Sequence, residues 1–158
     1  MTRLHARLAA VAVVPAALLA AGGAPAIGTG AGDGTRVVVT VTDLRSGKGK
    51  VLACLTPEAA TFPKCRNAPR AHAAAVRAVP GAVTLTFDHV APGRYAVALL
   101  HDENANGRAD RALGMMPREG FGFSRDAPVK MGPPAFDDAV FDLGPRDKQL
   151  TIRMRYML

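Results

Sequence analysis

Between His101 and Asp110 the chain reads His-Asp-Glu-Asn-Ala-Asn-Gly-Arg-Ala-Asp, so acid or amide side chains fall at Asp102, Asn104, Asn106 and Asp110, and Gly107 follows the third of them. This D-x-N-x-N-G-x-x-D spacing is that of a calcium loop. Ca²⁺ takes about six to eight oxygen ligands, and alternate residues of a tightly curled loop can aim their side-chain oxygens at one centre. Gly107 supplies the sharp turn, the backbone carbonyl of Arg108 serves the next position, and Asp110 binds directly or through water. Leu113 stands where an EF-hand carries its bidentate Glu, so a further carboxylate has to come from elsewhere. Glu119 is the nearest downstream. The expected cofactor is therefore Ca²⁺, held by Asp102, Asn104, Asn106, Arg108, Asp110 and Glu119. The same stretch also suits a plain hairpin tip, because Asn106-Gly107 is the strongest two-residue turn signal.

Other reactive side chains are few. Past the N-terminal segment the serines are Ser46 and Ser124, neither within G-x-S-x-G, and the histidines are His72, His89 and His101, without H-x-x-x-H or H-E-x-x-H spacing. Each histidine suits a surface, turn or strand-end position, and His101 beside Asp102 is the one whose titration a neighbouring charge would move. Asp102, Asp110 and Glu119 could pair for glycoside hydrolysis, although metal-loop spacing explains the first two better. No nucleophile and base can be named, so the chain is expected to be non-catalytic. The two cysteines, Cys54 and Cys65, are too far apart for C-x-x-C chemistry and are expected to form one structural disulfide. Closing about 12 residues, it contributes on the order of 3 kcal/mol in the chain-entropy model.

The elements that must position these groups are strands. Thr35 to Asp43 alternates Val37, Val39 and Val41 with Val38, Thr40 and Thr42, and Lys50 to Leu55 returns after an Arg-Ser-Gly-Lys-Gly turn, which predicts a hairpin. Ala71 to Val79 is Ala-rich but leans to a strand. Ala82 to Asp88 alternates Val83, Leu85 and Phe87 with Thr84, Thr86 and Asp88. Ala91-Pro-Gly93 turns into Arg94 to Leu100, where Tyr95, Val97 and Leu99 oppose Ala96, Ala98 and Leu100. The calcium-type loop follows that strand directly, at an end of the sheet, where a rigid scaffold can hold a functional loop. Arg111 to Asp137 loses periodicity and is rich in Gly, Pro, Phe and Met, which predicts one long ordered loop folded over the sheet's end. Asp138 to Leu143 and Gln149 to Tyr156 supply the last two strands. Seven short strands with Gly and Pro turns predict an all-β, antiparallel β-sandwich over residues 35–158, prealbumin-like or immunoglobulin-like.

Met1 to Ala26 has Arg3 and Arg7, an apolar run from Leu8 to Ala21, and Ala24-Pro-Ala26 before Ile27. This is the pattern of a secretory signal peptide, too short for a membrane span. Cleavage after Ala26 leaves no spanning segment and a Gly- and Ala-rich leader at residues 27–34. The expectation is an exported protein, periplasmic or extracellular. The formal charge of +7 includes Arg3 and Arg7, and a basic exported domain suggests an envelope or extracellular ligand more than nucleic acid, although the remaining Lys and Arg are scattered and suit an ordinary solvated surface better. With no Trp, and Tyr95 and Tyr156 on apolar strand faces, an aromatic sugar platform is missing.

The block Pro92-Gly-Arg-Tyr-Ala-Val97 resembles the strand opening of transthyretin-like and collagen-adhesin B-type sandwiches. The longer run Ala91 to Asp110, then Gly114-Met-Met-Pro-Arg-Glu-Gly-Phe-Gly-Phe-Ser124 and Gly132-Pro-Pro-Ala-Phe136, resembles the bacterial family called domain of unknown function 2141. The resemblance spans essentially Thr35 to Tyr156 and implies a small exported β-domain with no established activity. Transthyretin-like hydrolases of purine breakdown products end in Tyr-Arg-Gly-Ser, whereas this chain ends Arg153-Met-Arg-Tyr-Met-Leu158. Three functions remain: a calcium-stabilised envelope module that binds a ligand or partner through the 102–136 face, a metal-free structural sandwich, and a small hydrolase using the loop carboxylates.

Overall fold

The computed structural model describes residues 34–65, 67–112, 116–130 and 132–158. The segments expected as a signal peptide and, but for Gly34, as a leader lie outside these residues, as do Leu113, Met115 and Met131. The described chain is all-β. Its strands are β1 (Thr35–Leu44), β2 (Lys50–Thr56), β3 (His72–Arg77), β4 (Gly81–Val90), β5 (Gly93–Asp102), β6 (Arg111–Ala112), β7 (Met116–Pro117), β8 (Gly120–Phe123), β9 (Phe141–Leu143) and β10 (Lys148–Arg153). Helix is limited to a 3₁₀ turn at Ser124–Asp126 and α1 (Phe136–Ala139).

Two main sheets run β10-β1-β4 and β3-β2-β5-β8, with β9 pairing the start of β5 and β6 pairing β7. Strand alternation does what the sequence pattern demands. Val37, Val39 and Val41 of β1 and Val83, Leu85 and Phe87 of β4 are buried, and so are Val51, Ala53 and Leu55 of β2 and Tyr95, Val97 and Leu99 of β5. All twelve join one hydrophobic cluster with Phe141, Leu143, Ile152 and Met154. Each of the Val, Leu, Ile, Phe and Met side chains among them contributes about 1.5–3 kcal/mol when fully buried.

Three expectations are corrected. First, β1 and β2 do not form a hairpin: β1 pairs β4 and β10, whereas β2 pairs β3 and β5. Both strands bury one apolar face in the same cluster, and strands of different sheets can do so from opposite sides while side-by-side partners cannot. The connection Arg45–Gly49 thus crosses between sheets, flanked by positive φ at Asp43 (60°) and Gly49 (65°). Second, the sheets are not wholly antiparallel, because β1 and β10 run parallel, Val39 facing Leu150 and Val41 facing Ile152. Third, there are ten strands among the described residues where seven were expected. The long segment after Arg111 holds β6, β7 and β8, and α1 occupies the first part of the strand expected at 138–143.

That segment covers the outer face of the β5 sheet. Ala96 and Ala98 pack there against Phe123, Ala127 and Ala139, with Phe62, Phe121, Val129 and Phe136 half-buried around them. Strand β5 is therefore buried on both faces from Tyr95 to Leu99. Phe62 reaches this cluster, 5.8 Å from Phe123 and 5.9 Å from Phe136 between ring centroids. The expected disulfide, Cys54–Cys65, joins β2 to the loop that carries Phe62, with its Cα atoms 6.4 Å apart.

Candidate functional site

The last residues of β5 deliver the candidate loop. His101 is fully buried, and its ring Nε2 lies 2.9 Å from the Lys48 carbonyl, which can only accept, so Nε2 carries a proton and donates. Nδ1 is left to accept the Tyr156 hydroxyl at 2.7 Å, and the hydroxyl oxygen accepts the Arg45 backbone N–H at 3.2 Å. Burial raises the Tyr156 pKa above its ordinary value. A strand end, the sheet-crossing connection and the C-terminal segment are thereby tied together at one point. Gly49 closes the approach: a Cβ there would overlap the Asp102 carbonyl oxygen.

Asp102, at the root of the loop, is 1% exposed. Its Oδ1 accepts the Asn106 N–H at 3.0 Å and its Oδ2 the Gly107 N–H at 2.7 Å. Further along, Asn104 Oδ1 accepts the Asn106 N–H at 3.1 Å and Asn106 Oδ1 the Arg108 N–H at 2.8 Å. These are the local side-chain-to-backbone turns that Asp and Asn favour, and each oxygen keeps a second acceptor site. Positive φ falls at Ala105 (58°) and Gly107 (75°), with Asn106 outside that region. A two-residue type I′ tip at Asn106-Gly107 requires positive φ at both residues, so the loop is not that turn.

Asp110 closes the loop from the far side. Its carboxylate accepts from the Asn104 amide at 2.6 Å and from the Asn106 amide at 3.0 and 3.1 Å, and the Asn106 bond leads the causes that hold its pKa below the usual range. Glu119 arrives from the β7–β8 turn, 5% exposed. Its Oε2 accepts the Asp110 backbone N–H at 3.0 Å, while its buried Oε1 makes no hydrogen bond of good geometry among the described residues, although the Glu103 backbone N–H is close enough to favour the charged carboxylate. Burial pushes the Glu119 pKa up, and the charges of Asp102 and Asp110 push the same way. Thus five of the six residues expected to hold metal do gather in one network: Asp102, Asn104, Asn106, Asp110 and Glu119. Arg108 contributes its backbone N–H, with an exposed side chain. Among the described residues no three His, Cys, Asp or Glu side chains are drawn together as a ready-made metal cluster, so amide and backbone oxygens would have to complete any shell.

Beside the loop lies a second feature that local sequence does not reveal. The Arg45 guanidinium grips Glu103 through Nη2 at 2.5 Å and Nε at 3.3 Å, donates to the Arg118 carbonyl at 3.0 Å, and sits 4.4 Å above the Tyr156 ring. Ser46 adds its hydroxyl to Glu103 at 2.6 Å. The Arg45 hydrogen bond, helped by Ser46, brings the Glu103 pKa down to about 2. Arg45 and Glu103 are 58 residues apart, so no spacing rule links them. The signal available was an acid beside the loop and an Arg-Ser turn facing it.

The remaining candidates lie away from the loop's hydrogen-bond network. Ser124 is fully buried, accepting the Val97 N–H at 2.9 Å and donating to the Ala139 carbonyl at 2.6 Å. His72 sits half-exposed in the edge strand β3, and exposed His89 takes φ 57° near the end of β4.

Residues 39–151, most of the described domain, match the family described as "Uncharacterized protein conserved in bacteria (DUF2141)". The chain belongs to this family. Membership in DUF2141 carries no activity with it, so function has to be argued from the loop and its surroundings. No match was found among the curated proteins or among the solved structures.

Proposed function

We propose that this DUF2141 chain is an exported, non-catalytic β-sandwich that binds Ca²⁺ in the 102–110 loop, with Glu119 replacing the missing position-twelve carboxylate. The observation that carries the reading is the orphaned Glu119 Oε1, buried beside Asp102 and Asp110. A buried, unpartnered carboxylate oxygen costs about 1–3 kcal/mol or more, and a cation relieves both that cost and the mutual repulsion of three acids. Glu119, Asp102 and Asp110 supply the charge, and Asn104, Asn106 and the Arg108 carbonyl supply neutral oxygens. For Asp110 to serve an ion, the Asn104 and Asn106 amides that now donate to it would have to turn away. Two apolar sheet faces meeting in one cluster support a sandwich, prealbumin-like or immunoglobulin-like. The disulfide fits an oxidising compartment outside the cytoplasm, as does the basic, apolar, small-residue pattern of Met1 to Ala26. No helix among the described residues is long and apolar enough to cross a membrane. The domain would then present its 102–136 face to an envelope or extracellular ligand.

A metal-free structural role is the second reading, favoured by the Asn104 and Asn106 amides that already satisfy Asp110. A calcium titration separates the two. Affinity for Ca²⁺ is expected in the extracellular range, roughly 10⁻⁴ to 10⁻³ M. Calorimetry should find one site, and the melting temperature should rise with calcium. A melting temperature unmoved at about 10 mM calcium, roughly 10 to 100 times the expected constant, leaves the metal-free reading standing.

A further inference from the structure

A sheet edge is a row of backbone N–H and C=O groups without partners, and native proteins cover, shorten or blunt it. Three of the four edges of the two main sheets are treated in this way. The outer side of β8 bonds the chain beyond β10, with the Phe121 N–H donating to the Arg155 carbonyl at 3.0 Å and the Arg155 N–H to the Phe121 carbonyl at 2.8 Å. The end of β10 is met by the 3₁₀ turn, whose Asp126 carboxylate accepts the Arg153 N–H at 3.0 Å. Edge strand β3 is only six residues long and has His72 and Arg77 at its ends. Edge strand β4 has none of these devices. It runs ten residues, its one strand partner is β1, and among the described residues no backbone group of a turn or loop bonds to it. Positive φ at Gly81 and His89 marks its irregular ends. Between them Val83 to Phe87 pairs with Val37 to Val41 without a break and carries no charge and no proline. Just before this stretch stands Val79, one of three exposed large hydrophobic residues in the described chain.

We propose that the chain forms a two-fold symmetric dimer in which β4 pairs antiparallel with β4 of a second copy, joining two three-stranded β10-β1-β4 sheets edge to edge. Val83-Thr-Leu-Thr-Phe87 has the same order of apolar and threonine positions in both directions. Laid against its own copy about Leu85, it therefore sets Thr84 opposite Thr86 twice and keeps Val83, Leu85 and Phe87 on the core side, as a self-complementary interface requires. Threonine pairs across antiparallel strands are favourable. A slip of one residue would turn the buried face outward and is excluded. The charges fit a second copy as well. Asp88, the nearest charge on the strand, is already paired with Arg36 at 2.8 Å and comes opposite Ala82 of the second copy, well away from its own symmetry mate. No like charges meet, and none is left stranded. The same pairing carries the exposed Val79 of each copy to the far end of the other's β4, out of water. A foreign strand would find backbone alone, because Val83, Leu85 and Phe87 are buried in this chain's own core and Thr84 and Thr86 carry no charge to select it. The dimer is independent of the calcium reading of the loop.

Sedimentation of the disulfide-bonded protein across roughly 1 µM to 1 mM should pass reversibly from the monomer to the dimer mass, in calcium and in chelator alike. Over the same range, amide hydrogen exchange should slow within Val83 to Phe87 and stay unchanged in β3. Thr84→Lys with Thr86→Lys sets lysine opposite lysine twice and should weaken the dimer about tenfold or more. Both positions are exposed, so the melting temperature of the dilute variant should stay near that of the wild type. Thr84→Glu with Thr86→Glu should act in the same way, and mixing the two variants should restore a dimer with one copy of each, because every lysine then faces a glutamate. A wild type that remains monomeric throughout overturns the proposal. So does a dimer whose affinity the lysines leave unchanged, or whose slowed amides lie in β3, since the copies would then meet through another surface. Lysine and glutamate variants that fail to pair on mixing overturn the antiparallel β4 register.

Discussion

Replacing Glu119 by Gln tests the orphaned oxygen directly. The Gln carbonyl can keep the 3.0 Å bond from the Asp110 N–H, while the unpartnered carboxylate oxygen becomes a neutral amide able to donate toward Asp102 and Asp110. Without calcium, the substitution removes a buried charge that has one unpartnered oxygen and is repelled by two neighbours. Taking the lower end of the cost of such a group, the variant gains about 1 kcal/mol, or about 3–5 °C in melting temperature for a domain of this size. With calcium the variant's advantage is offset. If the dissociation constant is about 10⁻⁴ M, then about 10 mM calcium stabilises the wild type by about 2.7 kcal/mol. Loss of one charged ligand that weakens binding about tenfold reduces this to about 1.4 kcal/mol in the variant. The variant's advantage in chelator should therefore shrink to nearly nothing in calcium. Differential scanning calorimetry of both proteins in the two buffers measures the four values needed. If Glu119→Gln lowers stability by the same amount in chelator and in calcium, Glu119 serves only as an acceptor for Asp110, and the argument from its orphaned oxygen fails.

Three more outcomes follow from the same geometry. Reduction of Cys54–Cys65, or Cys54→Ser with Cys65→Ser, should cost about 3 kcal/mol in urea unfolding; a change below about 0.5 kcal/mol would mean that the Phe62 loop is held by packing alone. Glu103 has its folded pKa lowered to about 2, so its contribution is complete above its unfolded value and is lost progressively as pH falls from about 4.5 toward 2. Allowing for solvent at Arg45, about 1–2 kcal/mol should disappear over that window, and Glu103→Gln should flatten the curve there; an unchanged acid limb would refute the assignment. Gly49→Ala forces a Cβ into the Asp102 carbonyl at φ 65° and should destabilise by about 3 kcal/mol or more, measured by chemical denaturation; a neutral result would mean that the loop root is more adjustable than its packing indicates.

Side-chain alternation is what the sequence reports well. Val37, Val39 and Val41, or Val83, Leu85 and Phe87, mark a buried face whatever strand lies alongside, and those faces are where the alternation puts them. Alternation carries no information about neighbours or direction, which is why the crossing at Arg45–Gly49 and the parallel pairing of β10 escaped it. Strand β8 was missed for another reason. Gly120-Phe-Gly-Phe123 looks like loop composition, yet a Cβ at Gly120 would overlap Tyr156 and Met154, and one at Gly122 would stand 2.9 Å from the Arg153 carbonyl. These glycines permit close approach of the end of β10 and the residues that follow it. In the candidate site, the spacing of Asp102, Asn104, Asn106 and Asp110 was legible because the network is local. Glu119 was legible only as a nearby acid, and its burial depends on how the β7–β8 turn folds back. The Arg45, Glu103, His101 and Tyr156 network joins residues more than fifty positions apart, beyond the reach of any motif.

The two acids of the motif play unequal parts, and the fold accounts for the difference. Asp102 sits in the end of β5, opposite Lys50, with both oxygens accepting backbone N–H groups and its neighbour His101 fastened to Lys48 and Tyr156. Its position follows from the sheet and does not need an ion. Asp110 lies beyond the strand, more exposed than Asp102, and is held by two Asn amides that can turn. A cation entering this loop therefore meets a rigid half and an adjustable half: the rigid half sets where the ion sits, and the adjustable half exchanges amide hydrogen bonds for metal contacts. Such an exchange returns less free energy than binding to unpartnered ligands would, because Asp110 gives up three good contacts, at 2.6, 3.0 and 3.1 Å. Glu119 Oε1, by contrast, makes no hydrogen bond of good geometry among the described residues and has little to give up. On the calcium reading proposed above, the expected consequence is a weak site governed by Glu119, with affinity in the extracellular calcium range.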